Sequence, residues 1–202
     1  MKQINFLLIF LFSISTFGQE ITIDKKIQVE IGLVFHRNEL NEDNYLNSKS
    51  PWGLSSDRSM AGADLRFSLP SNLSFIDYTF GAIIEKCWDE YDATTDYKMN
   101  GGGVYAGISP KFNRKFFGFT SLLAIGVFSY KEYFAFYRES PLPVVDIYEK
   151  KTSFGLGAMS SIGIYGKIGP VGLHPQVQAI FSGGSGASFL FYGFVIPLTI
   201  QF

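Results

Sequence analysis

The sequence predicts an all-β protein, an eight-stranded antiparallel up-and-down transmembrane β-barrel. Three observations carry that prediction. Large apolar residues alternate with small or polar ones in eight separate segments, the period of a strand with two unlike faces. The connections between segments alternate between short and long. Charged residues are only 17% of the chain, against the ~25% usual for globular domains, while Phe (21), Tyr (11) and Gly (21) are abundant. A β-protein so poor in charge has an outer face that water does not fully cover.

The N-terminus comes first. Lys2 supplies a positive start, and Phe6 to Phe12 form an uninterrupted apolar run. Thr16 and Gly18 are small residues suited to cleavage before Gln19. These parts compose a secretory signal peptide over residues 1–18. The run is too short for the ~20 residues of a spanning helix. Residues 19–202 then form one exported barrel domain. Cys87 is the only cysteine, so no internal disulfide can form. A net charge of −1 leaves no electrostatic footprint for nucleic acid. An exported chain without a helical span can enter a membrane only as a closed barrel.

The strands follow in order. Segment 26–36 sets Ile27, Val29, Ile31, Leu33 and Phe35 against Gln28, Glu30, Gly32, Val34 and His36. Segment 59–69 sets Ala61, Ala63, Leu65, Phe67 and Leu69 against Gly62, Asp64, Arg66 and Ser68. Segment 74–88 opposes Ile76, Tyr78, Phe80, Ala82, Ile84 and Trp88 to Asp77, Thr79, Gly81 and Glu85. Segment 98–109 is weaker, with Val104, Ala106 and Ile108 against Tyr105, Gly107 and Ser109. Segments 116–130, 152–166 and 171–181 repeat the pattern, and 188–202 ends the chain. Pro197 and Pro175 cannot donate to a ladder, so each costs its strand a bond or forces a bulge. Residues 70–72, 111–115 and 168–170 are short turns; 37–58, 89–97, 131–151 and 182–188 are longer. The 131–151 stretch either prolongs its two strands or forms a loop. Short turns at one end, long loops at the other and an even strand number are the pattern of outer-membrane barrels.

The smaller face decides which side points out. A soluble lipocalin-like barrel, carrying an apolar ligand in the periplasm, would need Lys and Glu along its hydrated outer face. That face here is mostly Gly, Ser, Thr and Gln. Its sparse charges are Glu30, Asp64, Arg66, Asp77 and Glu85, which the alternation aims into the bore. An eight-stranded bore is only wide enough for side chains to fill. Arg66 can bridge two carboxylates, so these five residues are expected to form a charged plug in a closed or very narrow lumen. Large aromatics are expected on the outer face, for want of room inside. Phe35, Trp88, Phe154 and Phe181 at one end, and Phe67, Phe117 and Phe202 at the other, suit interfacial girdles.

Over its mature length the chain resembles the small eight-stranded outer-membrane β-barrel proteins of Gram-negative bacteria. The most specific match is the last strand, with Tyr192, Phe194, Ile196, Leu198, Ile200 and terminal Phe202 on one face. The resemblance implies that these residues are the signal read by the barrel-assembly machinery. It also implies outer-membrane lipid as the surrounding partner, and extracellular ligands met through the loops of residues 37–58 and 131–151. The expected role is structural or adhesive. Some relatives are lipid A acyltransferases or deacylases, which makes lipid A modification the rival reading. The His-x-Ser arrangement of the deacylases is absent around His36 and His174, and no amphipathic helix precedes the first strand. No catalytic, cofactor or metal site is predicted. His36 is expected to be a solvated rim residue, with His174 near the opposite end.

Overall fold

The computed structural model describes residues 26–38, 59–73, 75–87, 90–91, 95–113, 117–138, 144–186 and 188–202. The predicted signal peptide and Trp88 lie outside the described residues. Eight strands form a ring. They are β1 (Gln28–Asn38), β2 (Ser59–Pro70), β3 (Ile76–Cys87), β4 (Thr95–Asn113), β5 (Phe117–Arg138) and β6 (Val144–Ile168). Strand β7 comes in two pieces, Val171–Leu173 and Gln176–Ser182, and β8 is Phe189–Gln201. Each pairs antiparallel with its neighbours, and β8 closes the ring on β1, Gln201 opposite Gln28 through Phe191 opposite Asn38.

The alternation sorts the side chains as the sequence predicts. Ile84, Ile125 and Leu156 on the outer wall are 69%, 71% and 74% exposed, whereas Asp64, Leu122 and Thr199 inside are at most 1% exposed. The lipocalin-like arrangement, apolar face inward, is therefore excluded.

Three features settle or correct what the sequence left open. First, β5 and β6 run 22 and 25 residues, more than twice the ~10 that cross a membrane. The 131–151 stretch is thus largely a continued hairpin, paired out to Arg138 opposite Val144 with an irregularity at Phe136/Tyr137. Lys111 also belongs to a strand rather than a turn. Second, the prolines cause no bulge. Leu198 faces Leu173 and Val195 faces Gln176, so the register is the same on both sides of the gap in β7. The carbonyl of Pro197 accepts from the His174 amide at 3.0 Å, and that of Pro175 from Ile164 at 3.2 Å. What is missing is the return bond that each proline nitrogen cannot donate.

Third, the bore holds large aromatics. Tyr105, Phe128, Tyr130, Tyr165, Phe189 and Phe191 all point inward and are buried. Register explains the room for them. Tyr105 lies between Gly81 and Gly126, Phe128 between Gly103 and Gly155, and Tyr130 between Gly101 and Ser153. A Cβ at Gly81, Gly101 or Gly103 would overlap the neighbouring ring. Each glycine gives its volume to a ring on the next strand.

Candidate functional site: the filled bore

The short turns Pro70–Ile76 and Ile168–Val171 and the two described chain ends lie at one end of the barrel. In the bore's half toward that end, Arg66 is the centre. It projects from β2 and donates from Nε to Asp64 Oδ2 at 2.7 Å and to the Tyr105 hydroxyl at 3.1 Å. Its Nη1 donates to Gln176 Oε1 at 2.8 Å. Its Nη2 sits 2.5 Å from Asp64 Oδ2 as an ion pair without hydrogen-bond alignment. Glu30 stands 3.8 Å from Nη1. Tyr105 in turn donates to Asp64 Oδ1 at 2.5 Å. Gln176 passes the network on, accepting from Ser161 at 2.8 Å and donating to Thr120 at 3.2 Å. On the far side of Glu30, His174 Nδ1 lies 3.4 Å away, and its Nε2 is 3.3 Å from Thr199 Oγ1.

Nearer the mouth, Lys111 Nζ pairs with Asp77 at 2.8 Å and donates to Gln28 at 2.5 Å. A chain of hydroxyls, Ser68 to Thr79 at 3.0 Å and Thr79 to Ser109 at 2.6 Å, runs across β2, β3 and β4. Gln201 donates to the Tyr165 hydroxyl at 2.8 Å.

The other half is built differently. His36 Nδ1 meets Glu85 Oε1 at 2.5 Å, and Tyr130 donates to Glu85 Oε2 at 2.8 Å. Around them Tyr130 packs on Phe191 with ring centres 4.3 Å apart, and Phe189 stacks on Phe191 at 5.9 Å. His36 is 2% exposed, so it is not the solvated rim residue expected. It turns inward at the level of Glu85, and the carboxylate compensates its burial.

All five predicted lumen residues do point inward, but they do not form one cluster. Arg66 bridges Asp64 and Glu30. Asp77 pairs with Lys111, and Glu85 with His36. Three groups matter that the sequence reading did not place: Lys111, Gln176 and the Tyr105 hydroxyl. The alternation puts Tyr105 on the inner face, and that is the available signal. On β8, Tyr192, Phe194, Ile196, Leu198, Ile200 and Phe202 form a continuous exposed outer ridge.

Wall and bore together define a closed antiparallel barrel, greasy outside and filled inside with polar and aromatic side chains. No protein-family profile matches the sequence, and no curated protein does. Solved structures do match. Ail, the attachment invasion locus protein of Yersinia pestis, seen in complex with the heparin analogue sucrose octasulfate, aligns with a TM-score of 0.53 at 13% identity, over 88% of this chain and 99% of that one. Neisserial surface protein A aligns with a TM-score of 0.50 at 13% identity, over 87% and 97%. The chain therefore has the fold of the small eight-stranded transmembrane barrels.

Proposed function

We propose that the chain is an integral outer-membrane barrel with a closed, plugged bore, and that its role is structural or adhesive through its long-loop end. The supporting observation is the inversion of its two faces. The outer wall is a band of exposed Ile, Leu, Val and Phe, and the inner wall is buried and carries the buried charges and their hydrogen-bond network. A wall of that kind needs hydrocarbon around it. In this reading residues 1–18 direct export. The ridge Tyr192, Phe194, Ile196, Leu198, Ile200 and Phe202 is offered to the barrel-assembly machinery, and lipid then covers it.

A second feature supports the same placement. Lys86, Lys98, Lys131 and Lys150 all face outward and are exposed, on four consecutive strands just beyond the apolar band at the long-loop end. Asn100 lies between Lys86 and Lys131 in the register, and Tyr133 between Lys98 and Lys150. Lysines at that height suit anionic lipid headgroups. Beyond them, the hairpin of β5 and β6 and residues 39–58 would be the parts that reach an extracellular partner.

The reading is tested on purified outer membranes. The protein should fractionate there and change gel mobility on boiling; a protein dissolved in the periplasm would refute it. Planar bilayers should record no steady conductance, and reproducible open channels would reject the plug. Replacing 39–58 and 139–143 by short turns should abolish cell adhesion while the heat shift survives. Lipid A should keep its acyl chains on overexpression; a gained or lost chain would favour the enzyme. Ile196→Lys on the lipid face should lower stability in liposomes by about 2–4 kcal/mol if it sits near the midplane.

A further inference from the structure

His36 is held from one side: its Nδ1 is fixed by Glu85, which Tyr130 fixes in turn. Its other ring nitrogen, Nε2, is buried in the bore without a hydrogen-bond partner. Buried polar atoms are nearly always satisfied, so an exception asks for an explanation. A carboxylate on one imidazole nitrogen, with the second left open, is how metal-binding histidines are oriented.

The register places three sulfur-bearing side chains in the row that His36 begins. Met60 lies directly opposite His36, and Cys87 directly opposite Met60. One step along the β3–β4 ladder past Lys86 and Asn100 sets Cys87 beside Met99. All four side chains point inward and are at most 2% exposed. Met60, Cys87 and Met99 belong to one buried cluster. Directly opposed residues have Cβ atoms ~5 Å apart, and a tightly curved wall turns such a row toward a common point. Methionine chains are long and flexible enough to close the remaining gap. Among the described residues no three His, Cys, Asp or Glu side chains gather. The two thioethers complete the set.

We propose that His36 Nε2, Met60 Sδ, Cys87 Sγ and Met99 Sδ form a binding site for one Cu(I) ion. Thiolate and thioether are soft donors and imidazole also suits copper, whereas Mg²⁺, Ca²⁺ and Mn²⁺ prefer oxygen. On binding, the Cys87 thiol gives its proton to water and the thiolate takes the metal. The ion stays +1 and no electron is transferred. The thiolate cancels the charge of the ion, which suits the buried apolar cluster that also holds Phe128, Phe189 and Phe191. Glu85 and Tyr130 act as positioning residues.

The test uses the folded, full-length mature barrel in detergent, titrated anaerobically with Cu(I) against a chromogenic chelator. One ion per chain is expected, with sulfur and nitrogen neighbours in the copper X-ray absorption spectrum. Met60→Leu/Met99→Leu should abolish competition with the chelator, and Met159→Leu, a buried methionine elsewhere in the bore, should leave it intact. Glu85→Gln should weaken binding by about 10–100-fold through the orientation of His36. Every variant is first checked for the heat-dependent gel shift, and one that lacks it is replaced by the single Met60→Leu or Met99→Leu. No binding by the wild type, unchanged binding in the methionine variants, equal loss in Met159→Leu, or a spectrum with oxygen neighbours only would overturn the site.

Discussion

The two halves of the bore solve the same problem by different means. Each must fill a narrow tube with side chains that leave few polar groups stranded. The short-turn half does it with charge and hydrogen bonds, around Arg66 and Lys111. The long-loop half does it with volume, using Phe128, Tyr130, Phe189, Phe191, Met60 and Met99 around a single His36–Glu85 pair. A network of many partners has one arrangement in which all are satisfied, and it fixes strand register because a one-residue slip would turn every member outward. Packed rings and flexible methionines define register less sharply and tolerate repacking. The lock on the fold is therefore expected at the short-turn half. The other half is free to carry function.

Arg66→Met tests that contrast most severely. The substitution keeps a similar length but leaves Asp64, Tyr105 and Gln176 facing a methyl group. Breaking a buried ion pair by removing one partner costs about 3–5 kcal/mol. Urea unfolding in liposomes should show that loss. A drop below about 1 kcal/mol would mean that water replaces the guanidinium, and that the short-turn half is not the lock. Replacing Arg66 and Asp64 together should recover part of the loss, because the second change removes the stranded carboxylate.

Glu85→Gln is the matching substitution in the other half, and it should cost less. Glu85 gives one oxygen to His36 and the other to the Tyr130 hydroxyl, so the amide keeps a carbonyl oxygen for His36 Nδ1 and turns its NH2 to the hydroxyl, which can accept from it, while the charge that strengthens both bonds is gone. Hydrogen bonds to a charged group contribute about 1.5–3 kcal/mol, and the amide keeps some of that. A fall of about 1–2 kcal/mol is expected. Combined with Arg66→Met it should show a modest coupling, since Asp64 lies one inward position from Glu85 across the β2–β3 ladder. A cost larger than that of Arg66→Met would reverse the ranking of the halves.

Much of this arrangement is legible in the residues. Period-two alternation places Glu30, Asp64, Arg66, Asp77 and Glu85 inside, and Ile84 and Ile196 outside. It does not say who meets whom. Partnership depends on register, a long-range property set by how eight strands align, so Glu85 finds His36 from another strand rather than Arg66. The same gap hides the aromatic filling. Tyr105 falls on the inner face by alternation, but the room for its ring shows only once Gly81 and Gly126 are known to flank it. Row relations such as His36, Met60 and Cys87 leave no mark on linear spacing. Pro197 looks like a defect in the sequence, and only the ladder shows that it faces the gap in β7.

The smallest expected effect separates charge from mere polarity within the short-turn half. Thr79 sits between Ser68 and Ser109, linked to both. Thr79→Val keeps the shape and removes both bonds. Each serine would lose one partner. Both lie on the mouth side of Asp64, near Lys111 and Asp77, where side chains are less completely covered. Water can enter there and satisfy the freed hydroxyls. Neutral hydrogen bonds contribute about 1 kcal/mol, so the loss should be about that size and well below the effect of Arg66→Met. Should Thr79→Val match Arg66→Met in urea unfolding, the hydroxyl chain rather than the guanidinium would be holding the register.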